Sequence, residues 1–241
     1  MIQSTVEQLE SELEALSSDQ VLKWAADRFG NRVALACSFG AEDVVLVDLL
    51  CGVVDRPRVF AIDTGRLHGA TYEVAERLRE RYGLTIESYF PDRQAVEQLE
   101  REHGFFSFRQ SLAARHACCQ VRKVEPLGRA LSDLDAWITG LRREQSVTRT
   151  AVQLIERDDA HGGIYKLNPL ANWTSDDVWE YIGRHNIPYN RLHDEGYPSI
   201  GCEPCTRAVK PGEHPRAGRW WWESPEHKEC GLHIASPAQA G

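Results

Sequence analysis

The sequence predicts an α/β fold: a mostly parallel, twisted sheet with helices on both faces, followed by a loop-rich C-terminal segment. Three observations predict it. Strand and helix patterns alternate from residue 19 to residue 139, and such alternation favours a parallel sheet. Apolar residues make up 42% and charged residues 27% of the 241 positions, ordinary usage for a globular chain with a sizeable core. Gly and Pro are scattered until about residue 188 and concentrate after it.

Taken in order, an acidic N-terminal stretch has a helical pattern, and a helix follows over 19–29. A strand is expected over 32–38, a helix over 41–50 and a second strand over 58–62. The series continues with a helix over 71–82, a strand over 85–89 and a helix near 94–103. A later strand spans 136–139, and 163–166 reads as an edge strand. Thr174 with Asp177 three residues on forms a capping box that opens a helix running to about His185. One domain is expected over 1–223, with 224–241 as a mobile tail rich in Ser, Pro, His and Gly.

The formal net charge of −8 argues against general nucleic-acid binding, which needs a summed positive field. The N-terminus lacks the basic start and apolar core of a signal peptide, and the longest apolar stretch, 44–54, is about half a membrane span and is broken by Asp48. A cytoplasmic protein with no membrane partner is expected. Two basic islands, 115–149 and 205–219, each carry +3 in this acidic chain. Together they suggest a localised anion site, against the plainer reading of solvated helix faces.

In open α/β sheets, ligands sit beyond the carboxyl ends of the strands. The first strand ends in Ser38-Phe39-Gly40-Ala41-Glu42-Asp43, a polar turn into a helix whose free N–H groups suit an anion. The second ends in Asp63-Thr64-Gly65, and a later one in Gly140-Leu141-Arg142-Arg143-Glu144-Gln145-Ser146. Three polar strand ends in one sheet favour a nucleotide pocket over three ordinary turns.

Seven cysteines in a chain without a signal peptide cannot form a complete disulfide framework. Cys37 and Cys51 fall in apolar settings and read as core residues. Cys118-Cys119 is a tandem pair in a helix, and Cys202-Glu203-Pro204-Cys205 a C-x-x-C loop. Four thiolates suit either tetrahedral zinc or a four-iron, four-sulfur cluster. Adjacent helical residues diverge by about 100°, which favours the corners of a broad cluster over one small ion. A C-x-x-C redox dithiol is a further reading, but it leaves the tandem pair unexplained. Cys230, in a polar tail between Lys228 and His233, is a nucleophile candidate or an incidental thiol.

These segments together resemble the assimilatory adenylyl-sulfate reductases, the iron–sulfur branch of the phosphoadenylyl-sulfate reductase family. The most specific are Cys118-Cys119-Gln120-Val121-Arg122-Lys123, Gly201-Cys202-Glu203-Pro204-Cys205-Thr206-Arg207, Arg216-Ala217-Gly218-Arg219-Trp220-Trp221-Trp222-Glu223, and the Cys230 tail. The resemblance implies a Rossmann-like, adenine nucleotide alpha hydrolase-like fold. It also implies thioredoxin-dependent reduction of adenosine 5'-phosphosulfate (APS) to sulfite and AMP, through a thiosulfonate on Cys230, in sulfate assimilation and cysteine biosynthesis. The 3'-phosphorylated substrate is the nearest alternative. A [4Fe-4S] cluster would be held by Cys118, Cys119, Cys202 and Cys205, and is regarded as non-redox in the family.

Phosphosulfate contacts match Lys123, Arg216, Arg219 and His233, which accords with the basic islands. Ser38, Asp63, Thr64, Gly65, Arg142 and Arg143 are the further candidates for nucleotide binding, the two arginines equally readable as ion-pair partners. The triple tryptophan reads as core or as a thioredoxin surface. A zinc-stabilised regulator and an adenylating ATP pyrophosphatase are the competing classes, and a homo-oligomer is left open.

Overall fold

The computed structural model describes residues 5–145 and 152–224. Its eight α-helices and six strands, among the described residues, begin with α1 (Val6–Leu13) and α2 (Ser18–Phe29). Both helices start in capping boxes, Thr5 with Gln8 and Ser17 with Gln20, which satisfy backbone N–H groups that the first turn leaves open. Strand β1 (Val33–Ala36) leads through a short turn into α3 (Ala41–Val53), and β2 (Val59–Ile62) into α4 (Gly69–Tyr82). Then come β3 (Ile86–Tyr89), α5 (Arg93–His103), α6 (Leu112–Cys119) and α7 (Glu125–Leu131). The chain continues with β4 (Ala136–Ile138), β5 (Ile155–Asp158), β6 (Ile164–Leu167) and α8 (Ser175–His185).

The six strands form one sheet in the order β3-β2-β1-β4-β6-β5. Strand β1 runs parallel to β2 and β4, and β4 parallel to β6, with Leu35 opposite Val59 and Ile138 opposite Leu167. The expected mostly parallel α/β sheet is therefore present. Strand β5 runs antiparallel to β6, Glu156 standing opposite Lys166.

Two expectations change at this edge. The strand read at 163–166 as an edge lies inside the sheet, paired on both sides, and the true edge strand β5 has no counterpart in the sequence reading. The reason is charge compensation. Lys166 is buried and polar, which resembles an edge residue, but its Nζ lies 2.9 Å from Glu156 of β5. Strand β5 reads Ile-Glu-Arg-Asp, with too few apolar residues to be recognised as a strand, and the Glu10 carboxylate of α1 accepts hydrogen bonds from the Leu154 N–H just before it at 3.0 Å and from the Ile155 N–H at 2.8 Å.

The domain expected over 1–223 divides into two compact, interleaved units. The first comprises Met1–Phe60, Val74–Glu87 and Asp133–Tyr189, and the second Ala61–Glu73, Ser88–Ser132 and Asn190–Gly241. The divisions fall inside β2, α4 and β3 because the connections after those strands carry a second packed nucleus of their own. In the first unit α3 packs against α2 and α8, around Leu22, Val45, Leu46, Trp137 and Leu167. In the second, Phe108, Cys118, Cys202, Cys205 and Trp220 form a buried cluster, with Leu99 and Trp222 against it. No helix among the described residues is long and apolar enough to cross a membrane.

Candidate active site

The second unit gathers the four cysteines. Ser111 caps α6 by accepting the Ala114 N–H at 3.1 Å, and the helix delivers Cys118 and Cys119 at its C-terminal end. Residues Gln120–Val124 then wind as a π-helix before α7 begins. In an α-helix a spacing of four overshoots one turn by about 40°. The wider π turn reduces that overshoot, so Cys118 and Arg122, and likewise Cys119 and Lys123, come to one face. All four line the same cavity.

The C-x-x-C loop reaches this cavity through backbone pairing. Pro204 opens a tight turn over Glu203–Cys205, and the Glu203 N–H donates to the Arg66 carbonyl at 2.8 Å. Thr206 pairs with Arg219 in an antiparallel bridge, while the Trp220 N–H donates to the Cys205 carbonyl and the Arg207 N–H to the Gly218 carbonyl, each at 3.0 Å. Only glycine fits at position 218, since a Cβ there would stand 2.1 Å from the Arg207 carbonyl oxygen.

Cys118, Cys119, Cys202 and Cys205 are buried, free of disulfides, and ring a cavity with about 350 Å³ of atom-free space, counting its mouth. Arg66, Arg115, Arg122 and Lys123 complete the ring with Phe108 and Trp220. Burial would raise the Cys202 thiol. Lys123, the Thr64 hydroxyl 3.3 Å away and the Arg219 charge together outweigh it, and Cys202 is held below the ordinary thiol value. Burial pushes Cys205 up to about 12, with the Cys202 charge adding to it, and burial likewise raises Cys118 against Arg66 and Arg122. Cys202 is thus more acidic than an ordinary thiol, whereas Cys118 and Cys205 are less so, and a positive centre beside them would favour their ionised forms.

These residues fit a [4Fe-4S] cluster. The donor set is four soft sulfurs lining one cavity. The buried Arg122 Nε and Trp220 Nε1 on the cavity wall have no acceptor within the protein. Thiolate and sulfide sulfurs would supply acceptors for such donors.

Among the surrounding cations, Arg66, Arg115 and Arg122 are held by ion pairs. Arg122, 6% exposed, donates to Glu100 at 2.6 Å and to the Thr64 carbonyl at 2.8 Å, and Arg66 reaches Glu100 at 2.9 Å. Arg115 is fully buried, stacked on Trp220 and bonded to Glu223 at 2.8 Å. Arg219 is also buried over Trp220, its Nη1 3.3 Å from the Ser199 hydroxyl and the Ile200 carbonyl. Gly201 leaves room for that guanidinium, because a Cβ there would lie 2.4 Å from its Nη2. Arg216 is half-buried.

In the same unit, Asp63 accepts from the Gly65 N–H at 2.8 Å and from the Tyr72 hydroxyl at 3.0 Å. Gly65 takes a positive φ of 70°, which glycine adopts without strain. Its neighbours Thr64 and Arg66 both bear on the cysteine site.

The first unit holds Ser38, Arg142 and Arg143. The Ser38 N–H and hydroxyl both donate to the buried Asp43 carboxylate at 2.6 Å. The Asp43 carboxylate thus holds the Ser38 end of the turn that precedes α3. Burial pushes Asp43 up to about 6, against those two hydrogen bonds. Arg142 is buried, with its Nη2 2.8 Å from Glu42 and its Nη1 donating to the Trp173 carbonyl at 3.1 Å. Arg143 donates to the Val152 carbonyl at 2.7 Å and bonds the Asn172 side chain. Both are engaged within the protein, Arg142 in an ion pair. Cys37 and Cys51 lie in the same unit with thiols raised by burial, Cys51 to about 11.

Cys230 and His233 lie outside the described residues, as does the expected mobile tail from 225 onward. The sequence reading missed Arg66, Arg115 and Arg122 as cavity residues. The first follows Asp63-Thr64-Gly65 directly, and the last sits inside the cysteine motif, so proximity to recognised motifs was the available signal. Arg115 opens the basic island 115–149, but its partner Glu223 is distant in sequence. Of the three tryptophans, Trp220 is buried and Trp221 is exposed.

Comparison with known proteins agrees with this arrangement. Residues 32–208 match the family described as the phosphoadenosine phosphosulfate reductase domain. The chain is 52% identical over 206 residues to the adenosine 5'-phosphosulfate reductase of Burkholderia cepacia, covering 86% of this chain and 82% of that one. It is 51% identical over 201 residues to the adenosine 5'-phosphosulfate reductase of Allochromatium vinosum, covering 83% and 78%. The solved phosphoadenylyl-sulfate (PAPS) reductase from Candida auris, a phosphate complex, matches with a TM-score of 0.73 and 30% identity over 86% of this chain and 99% of that one. Parallel sheet, sulfur-lined cavity and sequence identity all lead to one assignment: this chain belongs to the phosphoadenosine phosphosulfate reductase domain family.

Proposed function

We propose that this enzyme reduces adenosine 5'-phosphosulfate to sulfite and AMP in sulfate assimilation, with electrons from a thioredoxin-type dithiol protein in the cytoplasm. The observation that carries the reading is the convergence of four buried cysteines with Lys123 on one cavity. Cys118, Cys119, Cys202 and Cys205 would hold a [4Fe-4S] cluster, which supplies electrostatic influence beside Lys123 and a cross-link between helix and loop. Lys123, Arg216, Arg219 and His233 bind the phosphosulfate anion and stabilise charge on the departing nucleotide.

The Cys230 thiolate attacks the sulfate sulfur. An S–S bond forms as the S–O bond to AMP breaks, and AMP leaves with that electron pair. One thiol of the reductant then attacks Cys230 Sγ and expels sulfite. The reductant's second thiol resolves the mixed disulfide, so its dithiol supplies both electrons.

The test is intact mass of anaerobically purified protein after incubation with APS, and separately with its 3'-phosphorylated analogue, both without reductant, beside Cys230→Ser. One SO3 unit on the parent protein and none on the variant is expected, together with iron and acid-labile sulfide in the purified protein. No adduct with either substrate on cluster-loaded protein would overturn the thiosulfonate route.

A further inference from the structure

We propose that the exposed aromatic patch of Phe105, Phe106 and Trp221, centred on Arg109, is the docking surface for the dithiol protein that reduces the Cys230 thiosulfonate. This rests on the reductase reading above and names where its reductant sits. Phe105 and Phe106 are 66% and 62% exposed, side by side in the turn after α5, and Trp221 is 38% exposed. The Arg109 guanidinium lies 5.5 Å from the ring centroids of both Phe106 and Trp221, and its Nη2 donates to the Pro204 carbonyl at 3.1 Å. The patch is therefore one surface, tied to the C-x-x-C turn. Contiguous exposed apolar patches mark interaction sites, and Phe, Trp and Arg are residue types enriched in protein–protein interfaces.

The course of the chain selects the occupant. Beneath the patch, Trp222 meets Trp221 edge-on with centroids 4.7 Å apart and lies 6.1 Å from Phe108, so the exposed rings stand on a packed base. Glu223 is bound to the fully buried Arg115 at 2.8 Å, and its N–H donates to the Trp220 carbonyl at 2.9 Å. These bonds pin the start of the C-terminal segment beside the patch, within the second unit. Cys230 follows Trp221 by nine residues, and nine residues reach at most about 30 Å. A protein interface of ordinary size covers about 800 Å² per partner, on the order of 30 Å across. A protein whose thiol attacks Cys230 is thus brought up against this end of the unit, within reach of the patch, whereas a small dithiol needs no such surface.

The test isolates the second half-reaction. Parent, Phe105→Ser/Phe106→Ser and Trp221→Ser proteins, all cluster-loaded, are converted to the thiosulfonate with APS, freed of nucleotide, and mixed with thioredoxin or with dithiothreitol while sulfite release is timed. With subsaturating thioredoxin both variants are expected to release sulfite about tenfold more slowly than the parent, as loss of central aromatic anchors demands. With dithiothreitol, and in the formation of the thiosulfonate, they should stay within about twofold of the parent, since neither step needs a docked protein. Unchanged release by thioredoxin, or an equal slowing with dithiothreitol, would overturn the proposal. So would slower thiosulfonate formation, which makes the C-terminal segment the occupant, or a parent dimer that the variants dissociate, which makes it a second copy. Should the parent form no adduct with APS, the reductase reading fails separately. Reduced thioredoxin is then titrated directly against cluster-loaded parent and variants, and the same loss of affinity, about tenfold, is required.

Discussion

The hydroxyl of Thr64 lies 3.3 Å from the sulfur of Cys202, joining the loop after β2 to the C-x-x-C turn inside the second unit. This contact, with Lys123, keeps Cys202 the most readily ionised of the cavity thiols whose shifts are resolved. Thr64→Val keeps the shape and removes the donor. A hydrogen bond to a charged group is worth about 1.5–3 kcal/mol. With the proposed cluster bound, iron release to a chelator is therefore expected to quicken about tenfold, read as bleaching of the visible absorbance, and an unchanged rate would rule out a role for this contact in holding it.

Arg122 is a stability residue as well as a cavity wall. Its guanidinium spans Glu100 and the Thr64 carbonyl while almost fully buried. Breaking a buried pair by removing one partner costs about 3–5 kcal/mol, and the partly exposed Glu100, which keeps Arg66, places Arg122→Gln at the lower end. Urea unfolding of parent and variant should differ by about 3 kcal/mol, and a difference under 1 kcal/mol contradicts the assignment.

Asp43 sets a pH dependence with an unusual sign. Its carboxyl is pushed up to about 6 by burial, from an ordinary value of 3.8. Between these values the folded chain keeps a proton that the unfolded chain has released, so this group's contribution falls as pH rises through the window. The loss is complete above pH 6 and amounts to about 3 kcal/mol. Asp43→Asn abolishes that titration. The stability of the variant relative to the parent should climb from pH 4 to pH 6 and then level, and a flat difference would rule the shift out.

Two glycines separate binding from folding. The atoms nearest a Cβ at Gly201 are those of the Arg219 guanidinium, whereas one at Gly218 meets a backbone carbonyl. Gly201→Ala should therefore keep its melting temperature within a few degrees and bind APS at least tenfold more weakly. Gly218→Ala should melt markedly lower, because the backbone pairing between 207 and 218 has to open. The reverse ranking in a thermal melt would contradict the geometry.

Much of this was legible in the sequence for definite reasons. The alternating apolar runs of β1, β2 and β4 are buried by helices that carry their own caps, so period and punctuation agree. The C-x-x-C and tandem cysteines stood out because so few other residues explain them. Strand β5 escaped because its stability comes from Glu10 and Lys166, partners distant in sequence. The ion pair of Arg142 has no local mark in the sequence, because its partner Glu42 lies a hundred positions upstream. The π turn after Cys119 carries no compositional mark at all.

The interleaving of the two units also sets a timetable. Strand β6 ends at Leu167, so all six strands have been synthesised before Cys202 and Cys205 exist. At bacterial or eukaryotic elongation rates the second cysteine pair follows the first by on the order of ten seconds. During that interval a nascent chain presents Cys118 and Cys119 without their counterparts. A message truncated before codon 202 would thus yield every strand of the sheet and half a sulfur cage, and whatever the four thiols hold must be delivered near the end of translation or after it.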